Sequence, residues 1–284
     1  MLPELPDHLR ATVTELLGDA PAWHPLANAT NHVWRVRTNR AAVILKKFRS
    51  ERPYRQELRA YTVWRPHLPE QTPALLAFDD PTRTLILTDI PGDPPFTLTP
   101  QAECTAHWHA GQFLKILHAI PDPDPDPLPL ADAIIKRHTS WLTRVSPHLG
   151  ADERTALSAL ATDIPDLFAD TPRVPTHRDF TPRNWLTHGT AAHVRSISVL
   201  DYEHARHDTP LADLIKIAAE QWPTRPDLEE SLLTGYGRDL TPRERRQLRV
   251  LIALHAMATL AWAHDHRDPT FLAAGRTALA TALT

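Results

Sequence analysis

The 284-residue chain has a formal net charge of −3, with 42% hydrophobic and 23% charged residues, as in an ordinary globular protein. Acids balance arginines, so no basic footprint for nucleic acid exists, and one cysteine, Cys104, excludes an internal disulfide framework and accords with a reducing compartment. No secretory leader is visible and the longest apolar-rich run, 250–263, is too short for a bilayer, so a cytoplasmic protein without a membrane partner is expected.

The chain opens with helical spacing, Leu9, Val13, Leu16 and Leu17 recurring between Glu4, Asp7 and Glu15. The stretch from Leu26 to His32 holds no glycine, although Asn28 and Asn31 tolerate the left-handed backbone a turn needs. Residues 33–37 and 42–48 are β-branched or aromatic runs flanking Asn39 and read as strands. Residues 54–64 have helical spacing, with Tyr54, Leu58, Tyr61 and Trp64 on one face. Glu57 falls within that stripe, where a carboxylate is costly unless paired. A lysine on the neighbouring strand, Lys46 or Lys47, is the economical partner. Residues 84–88 form another strand, and Pro91-Gly92 with Pro94-Pro95 ends this portion.

Beyond it the chain reads as helices at 101–119, 130–146, 151–168, 210–221, 226–236, 242–264 and 269–282. The alternating Pro and Asp of 121–127 suit a stiff spacer. The exception is 177–201, where 184–187 and 194–200 form a hairpin closed around His188-Gly189. A small β-rich part followed by a larger helical part predicts an α+β fold of two lobes with a cleft between, divided as 1–92 and 93–284.

The chemistry concentrates in that exception. Asp179 lies in a loop between His177 and Pro182, free of helical constraint, where a carboxylate can orient an acceptor hydroxyl and take its proton. Asn184 follows five residues on, and Asp201 ends an apolar run. Together they supply two hard oxygen ligands for Mg²⁺ beside a base. The usage of Lys and Asn points the same way: lysine occurs only at 46, 47, 115, 136 and 216, and asparagine only at 28, 31, 39 and 184. In so arginine-rich a chain, these positions call for a chemical reason. His107 with His109, and His264 with His266, are two apart and face different sides of a helix, so no zinc site is expected. No Gly-x-Ser-x-Gly marks a serine nucleophile.

The brace His177-x-Asp179-x-x-x-x-Asn184, then Leu200-Asp201-x-Glu203 and Pro210-x-x-Asp213-Leu214, resembles the aminoglycoside phosphotransferase and choline kinase family, the small-molecule branch of the protein-kinase-like fold. Val43 to Lys46, Glu57, Leu87 to Gly92 and Leu117 to Ala119 add weaker matches, so the likeness runs from about 26 to 214. It implies a two-lobed protein-kinase-like fold and transfer of the γ-phosphate of ATP or GTP, with Mg²⁺, to a hydroxyl of a small molecule. An antibiotic of the aminoglycoside or nucleoside type is the leading acceptor, ahead of a choline, homoserine or sugar type; a nucleotide-binding regulatory module is the alternative of another class.

In that resemblance Asp179 is the base, while Asn184 and Asp201 hold the metal. Lys46 meets the phosphates and pairs with Glu57, Asn31 belongs to the covering loop, and the backbone of Thr88, Asp89 and Ile90 meets the nucleotide base. His177 and Asp213 brace the loop. Glu203, Glu220, Trp222, Trp262 and Asp265 are acceptor-site expectations. Absence of Ala-Pro-Glu argues against a protein substrate, and a monomer or homodimer is expected.

Overall fold

The computed structural model describes residues 5–18, 21–26, 31–38, 41–69, 72–124, 126 and 128–283; Asn28 and Asn39 lie outside these. The N-terminal lobe is one antiparallel sheet in the order β1-β2-β3-β5-β4, built from β1 (Ala22–Pro25), β2 (His32–Arg37), β3 (Ala42–Lys47), β4 (Leu75–Asp79) and β5 (Thr84–Thr88). Strand alternation sends Val43 and Leu45 to one face, against α1 (Asp7–Leu17) and its buried Leu9, Val13 and Leu17. Lys46 therefore points to the other face. Here α2 (Glu51–Arg59), prolonged by a π turn at Ala60–Trp64, buries Tyr54, Glu57, Tyr61 and Trp64 as the spacing predicts.

Strands β1 and β4 lie outside the elements expected from the pattern, for identifiable reasons. The first is an edge strand that contains Pro25, and the second, Leu-Leu-Ala-Phe-Asp, is apolar at alternate positions on both faces and shows no period of two.

The C-terminal lobe contains α3 (Pro100–His118), α4 (Leu130–Val145), α5 (Ala151–Thr162), α6 (Ile164–Phe168), α7 (Ile215–Glu220), α8 (Pro226–Tyr236), α9 (Pro242–His266) and α10 (Pro269–Leu283). Local chemistry sets their ends. Thr241 accepts from the Glu244 amide at 3.2 Å while the Glu244 carboxylate takes the Thr241 amide at 2.9 Å, a reciprocal cap with Pro242 in the first turn. The helix expected over 151–168 is broken at Asp163, because Pro165 has no amide to continue the ladder. The helix expected over 210–221 begins as a 3₁₀ turn, Pro210–Asp213, and becomes α-helical only at Ile215.

Four short strands interrupt the helices: β6 (Val174–Thr176) pairs with β9 (Arg206–Asp208), and β7 (Trp185–Thr190) with β8 (His193–Val199). The second pair is the expected hairpin, but it turns at Ala191-Ala192 rather than at His188-Gly189. Gly189 instead sits at φ 133° in a register shift within the ladder, a conformation that glycine alone adopts readily.

Hydrogen bonds fix the connection between the lobes. Asp93 forms a bridge to β7, its amide donating to the Thr187 carbonyl at 3.1 Å and its carbonyl accepting from the Thr187 amide at 2.8 Å. In the Pro-Asp tract, Asp122 and Asp124 are both bonded to neighbouring segments. The Asp122 carboxylate accepts from Trp64 Nε1 at 2.6 Å and Arg59 at 2.7 Å, while its carbonyl takes His207 Nε2 at 2.9 Å. Asp124 pairs with Arg173 at 2.7 Å.

Helices α3 and α8 cross closely enough to demand glycine on both sides. A Cβ built on Gly235 would lie 1.9 Å from the Trp108 carbonyl oxygen, and one on Gly111 2.0 Å from that of Leu232. Both obstacles are backbone, so the helices must separate. Gly235→Ala is expected to lower unfolding stability by about 1–3 kcal/mol or more, read as a lower urea midpoint; an unchanged midpoint would contradict this crossing.

Candidate active site

The loop after β6 is pinned through its backbone. The buried Asp213 carboxylate accepts the His177 amide at 3.0 Å and the Arg178 amide at 2.6 Å, and also faces His118 Nε2 at 3.0 Å. This grip holds Arg178 at φ 69°, a left-handed conformation that an arginine rarely adopts.

His177, fully buried, works from its ring. Nδ1 accepts the Asp179 amide at 3.2 Å and Nε2 donates to the Leu200 carbonyl at 2.8 Å, which assigns the proton to Nε2. The Leu200 amide in turn donates to the Asn184 carbonyl at 2.9 Å. Leu200 is thus held on both sides by the loop, and Asp201, next in the chain at φ 66°, is fixed beside it. Asn184 Nδ2 donates to the Asp179 carbonyl at 2.8 Å and to its Oδ2 at 3.0 Å. Both bonds require the amide nitrogen on that side, which leaves Asn184 Oδ1 as a neutral oxygen donor facing away from Asp179.

Lys46 occupies the second cluster. Its Nζ lies 2.6 Å from Glu57 Oε2, 2.6 Å from Asp201 Oδ1 and 3.2 Å from Glu203 Oε2. Asn31 donates to Glu203 through Nδ2 and accepts the Arg49 amide at 3.2 Å through Oδ1, tying the start of β2 to the same carboxylate. Burial pushes the Glu57 carboxyl up, to about 7, against the pull of Lys46. Burial would lower the Lys46 ammonium, but Glu57, Asp201 and Glu203 outweigh it and hold it well above the usual range. Lys47 faces neither Glu57 nor Asp201, so the sheet register separates the two lysines.

The oxygens of Glu57, Asp201 and Glu203 approach within 4.8 Å of one another, a spacing a cation could bridge. Past β5, Asp89 makes a bidentate pair with Arg35 at 2.9 and 3.1 Å, and Thr88 is held by Ala74 through both its amide and its hydroxyl. Its side chain engaged, Asp89 has only backbone to offer a ligand, as has Ile90 after it.

This fold agrees with that of known proteins. The family described as "Phosphotransferase enzyme family" matches residues 23–251. The chain belongs to that family. The enzyme class read from the sequence, a small-molecule kinase, therefore stands. Among solved structures, the GDP and kanamycin complex of APH(2")-IIia superposes with a TM-score of 0.73 at 14% identity, covering 97% of this chain and 98% of that one. Macrolide 2'-phosphotransferase type I gives 0.65 at 16% identity, covering 96% of each chain. A choline/ethanolamine kinase family protein from Mesorhizobium loti gives 0.66 at 21% identity, covering 97% and 92%. At such identities the likeness is one of fold. No curated protein matches the sequence.

In this phosphotransferase, Asp179 also meets a residue the motifs do not reveal. Lys216 on α7 donates to Asp179 Oδ1, which Arg183 reaches at 3.2 Å. Burial alone would raise the Asp179 carboxyl, but Lys216 and Arg183 hold it down at about 2. Its signal in the sequence was the scarcity of lysine and its place three residues after Asp213.

Beside Lys216 opens a cavity of about 150 Å³, lined by Arg137 and Trp141 of α4, Arg178, and the α9 residues Leu251, Leu254, His255 and Ala258. Of the residues expected at the acceptor site, Glu203 sits in the Lys46 cluster and Glu220 lies near Lys216 and Arg183. Asp265 pairs with Arg144, and Trp262 is exposed and stacks on His266 with ring centroids 4.1 Å apart. Trp222 is buried in the core, and Glu220 is exposed. Among the described residues, no helix is long and apolar enough to cross a membrane.

Proposed function

We propose that the chain transfers the γ-phosphoryl group of ATP or GTP to a hydroxyl of a small molecule, at a site between the N-terminal lobe, residues 1–92, and the helical lobe, 93–284. The observation that supports this reading is the double hold on Leu200, which ties Asp201 to the loop that carries Asp179 and Asn184. Asp179 takes the acceptor's proton as the acceptor oxygen bonds to the γ-phosphorus and the bond to the β–γ bridging oxygen breaks, releasing the nucleoside diphosphate. Asn184 Oδ1 and the Asp201 carboxylate suit a hard divalent ion such as Mg²⁺, being oxygen donors and only one of them charged. When bound, that ion neutralises charge on the phosphate oxygens. Lys46, held in place by Glu57, approaches the phosphates from β3, and Asn31 and Glu203 fix the neighbouring turn. The backbone of Thr88, Asp89 and Ile90 offers hydrogen bonds to the nucleotide base.

Lys216 belongs to this reading as well. With both Asp179 oxygens engaged, the carboxylate is a weak base until Lys216 turns to a phosphate oxygen. As for the acceptor, an antibiotic is the finer expectation of the sequence. The basic cavity wall disfavours a polycationic aminoglycoside.

The test is release of diphosphate that requires both an acceptor and Mg²⁺. EDTA is expected to abolish it and excess Mg²⁺ to restore it. Turnover indifferent to chelation would remove Asn184 and Asp201 from their proposed role.

A further inference from the structure

The cavity beside Asp179 is lined by no carboxylate, whereas Arg137, Arg178, Lys216 and His255 all contribute to its wall. Beneath it lies Asp208, its side chain only 4% exposed, which accepts from Arg178 at 2.7 Å and Arg137 at 3.3 Å and has Arg206 at 3.7 Å. Three guanidiniums share this one carboxylate. On the other side Lys216 and Arg183 share Asp179, and Glu220 is the further acid that faces them. Basic groups thus outnumber acids around the cavity, and they are partly buried, where unbalanced charge is costly. Burial, with Lys216 and Arg178, lowers His255 to about 4, so it stays neutral at pH 7 and adds a hydrogen-bonding ring rather than a charge. Trp141, Ile215, Leu251, Leu254 and Ala258 make the remaining wall apolar.

Arg178 and Lys216 also fix where a ligand would stand. Arg178 directly precedes Asp179 with its peptide pinned by Asp213, and Lys216 touches Asp179 itself. An anion held by these heads lies next to the proposed base, with the rest of the molecule against Trp141 and α9. At about 150 Å³ the cavity takes a small molecule or one end of a larger one.

We infer that the acceptor bears a carboxylate or phosphate on a compact, partly apolar body and that Arg137, Arg178 and Lys216 select it by charge. The inference rests on the transfer reading given above. Cationic acceptors such as amino alcohols would meet like charge at the same wall and are selected against.

Acceptors matched in size and differing in charge test this on the wild-type enzyme with Mg²⁺ and ATP or GTP. Glycerate, glycerol and 3-amino-1,2-propanediol form one set; glucose 6-phosphate, gluconate, glucose and glucosamine form another, with kanamycin added. The anionic members are expected to exceed their neutral parents in kcat/KM by about tenfold or more, the hydroxy acids and phosphate esters telling carboxylate from phosphate. Arg137→Gln, which leaves Asp208 with Arg178 and Arg206, is expected to raise the acceptor KM by about tenfold with a much smaller change in kcat. Arg137→Glu should shift preference toward the amine-bearing members. Normal turnover that favours a neutral or amine-bearing acceptor overturns the charge selection and leaves the kinase reading standing. Failure to phosphorylate any anionic member, with nucleotide still bound, overturns this inference, while the kinase reading stands or falls by the chelation test above.

Discussion

Asp179→Asn is expected to lower acceptor-dependent turnover by about 10²–10⁴-fold while nucleotide still binds. The substitution keeps the shape of the side chain and an oxygen for Lys216, and removes only the charge and the basic site. It separates a base from a bracing residue, because the brace runs through the Asp179 amide and carbonyl, which His177 and Asn184 hold whatever the side chain. Stability gives a second readout. The Asp179 carboxyl is depressed to about 2 in the folded chain, below its unfolded value of about 4. Its contribution is therefore full above about pH 4 and is lost as pH falls toward 2. The variant should be less stable than wild type at neutral pH, where Lys216 and Arg183 lose their partner, and the gap should close in acid. Turnover within a fewfold of wild type would remove Asp179 as the base.

What could be read beforehand follows a physical divide. Elements whose pattern is set by their own neighbours were legible. The 54–64 stripe is one, because a buried acid amid tyrosines and a tryptophan announces both the helix face and the need for a cation. The loop from His177 to Asn184 is legible in part: its Asp179–His177 and Asn184–Asp179 bonds span two and five residues, whereas Asp213 and Leu200, which pin it, lie 36 and 23 residues on. Edge strand β1, with its proline, and β4, apolar on both faces, were not legible, since their order comes from sheet neighbours.

Contacts made across long chain distances were equally hidden. Lys216 reaches Asp179 from 37 residues away and Arg137 reaches Asp208 from 71, and no local spacing tells which partner either one meets. The wall proposed to meet the acceptor is therefore built largely from residues between or beyond the motifs. Of those expected there, Asp265 pairs with Arg144 of α4 and Trp262 stacks on His266 and meets Phe271 of α10. Lys46 and Lys47 lie between these extremes. The sequence offers both, and only the alternation fixed by pairing β3 with β5 turns Lys46 toward Glu57.

Lys46→Met is expected to destabilise the fold at neutral pH by about 3–5 kcal/mol, the range for removing one partner of a buried pair, and to abolish turnover. Methionine fills much of the same volume, so packing is not the main loss. Glu57, 1% exposed, is left facing Asp201 and Glu203 with no cation between them. Even with Lys46 present, burial holds Glu57 up at about 7, above an unfolded value of about 4.3. A carboxyl raised on folding contributes stability that is full below its unfolded pKa and lost as pH rises through its folded one. Without Lys46 the folded value rises further, so the deficit should grow between about pH 5 and 8 and shrink in acid.

The double variant Lys46→Met/Glu57→Gln isolates the cause. If uncompensated charge is responsible, it recovers a large part of the loss at pH 7 and flattens the pH dependence, while turnover stays absent because the phosphates still lack their lysine. A double variant no more stable than Lys46→Met alone would place the effect in packing. Glu57 would then be a passenger in the helix rather than the group that holds Lys46 in position.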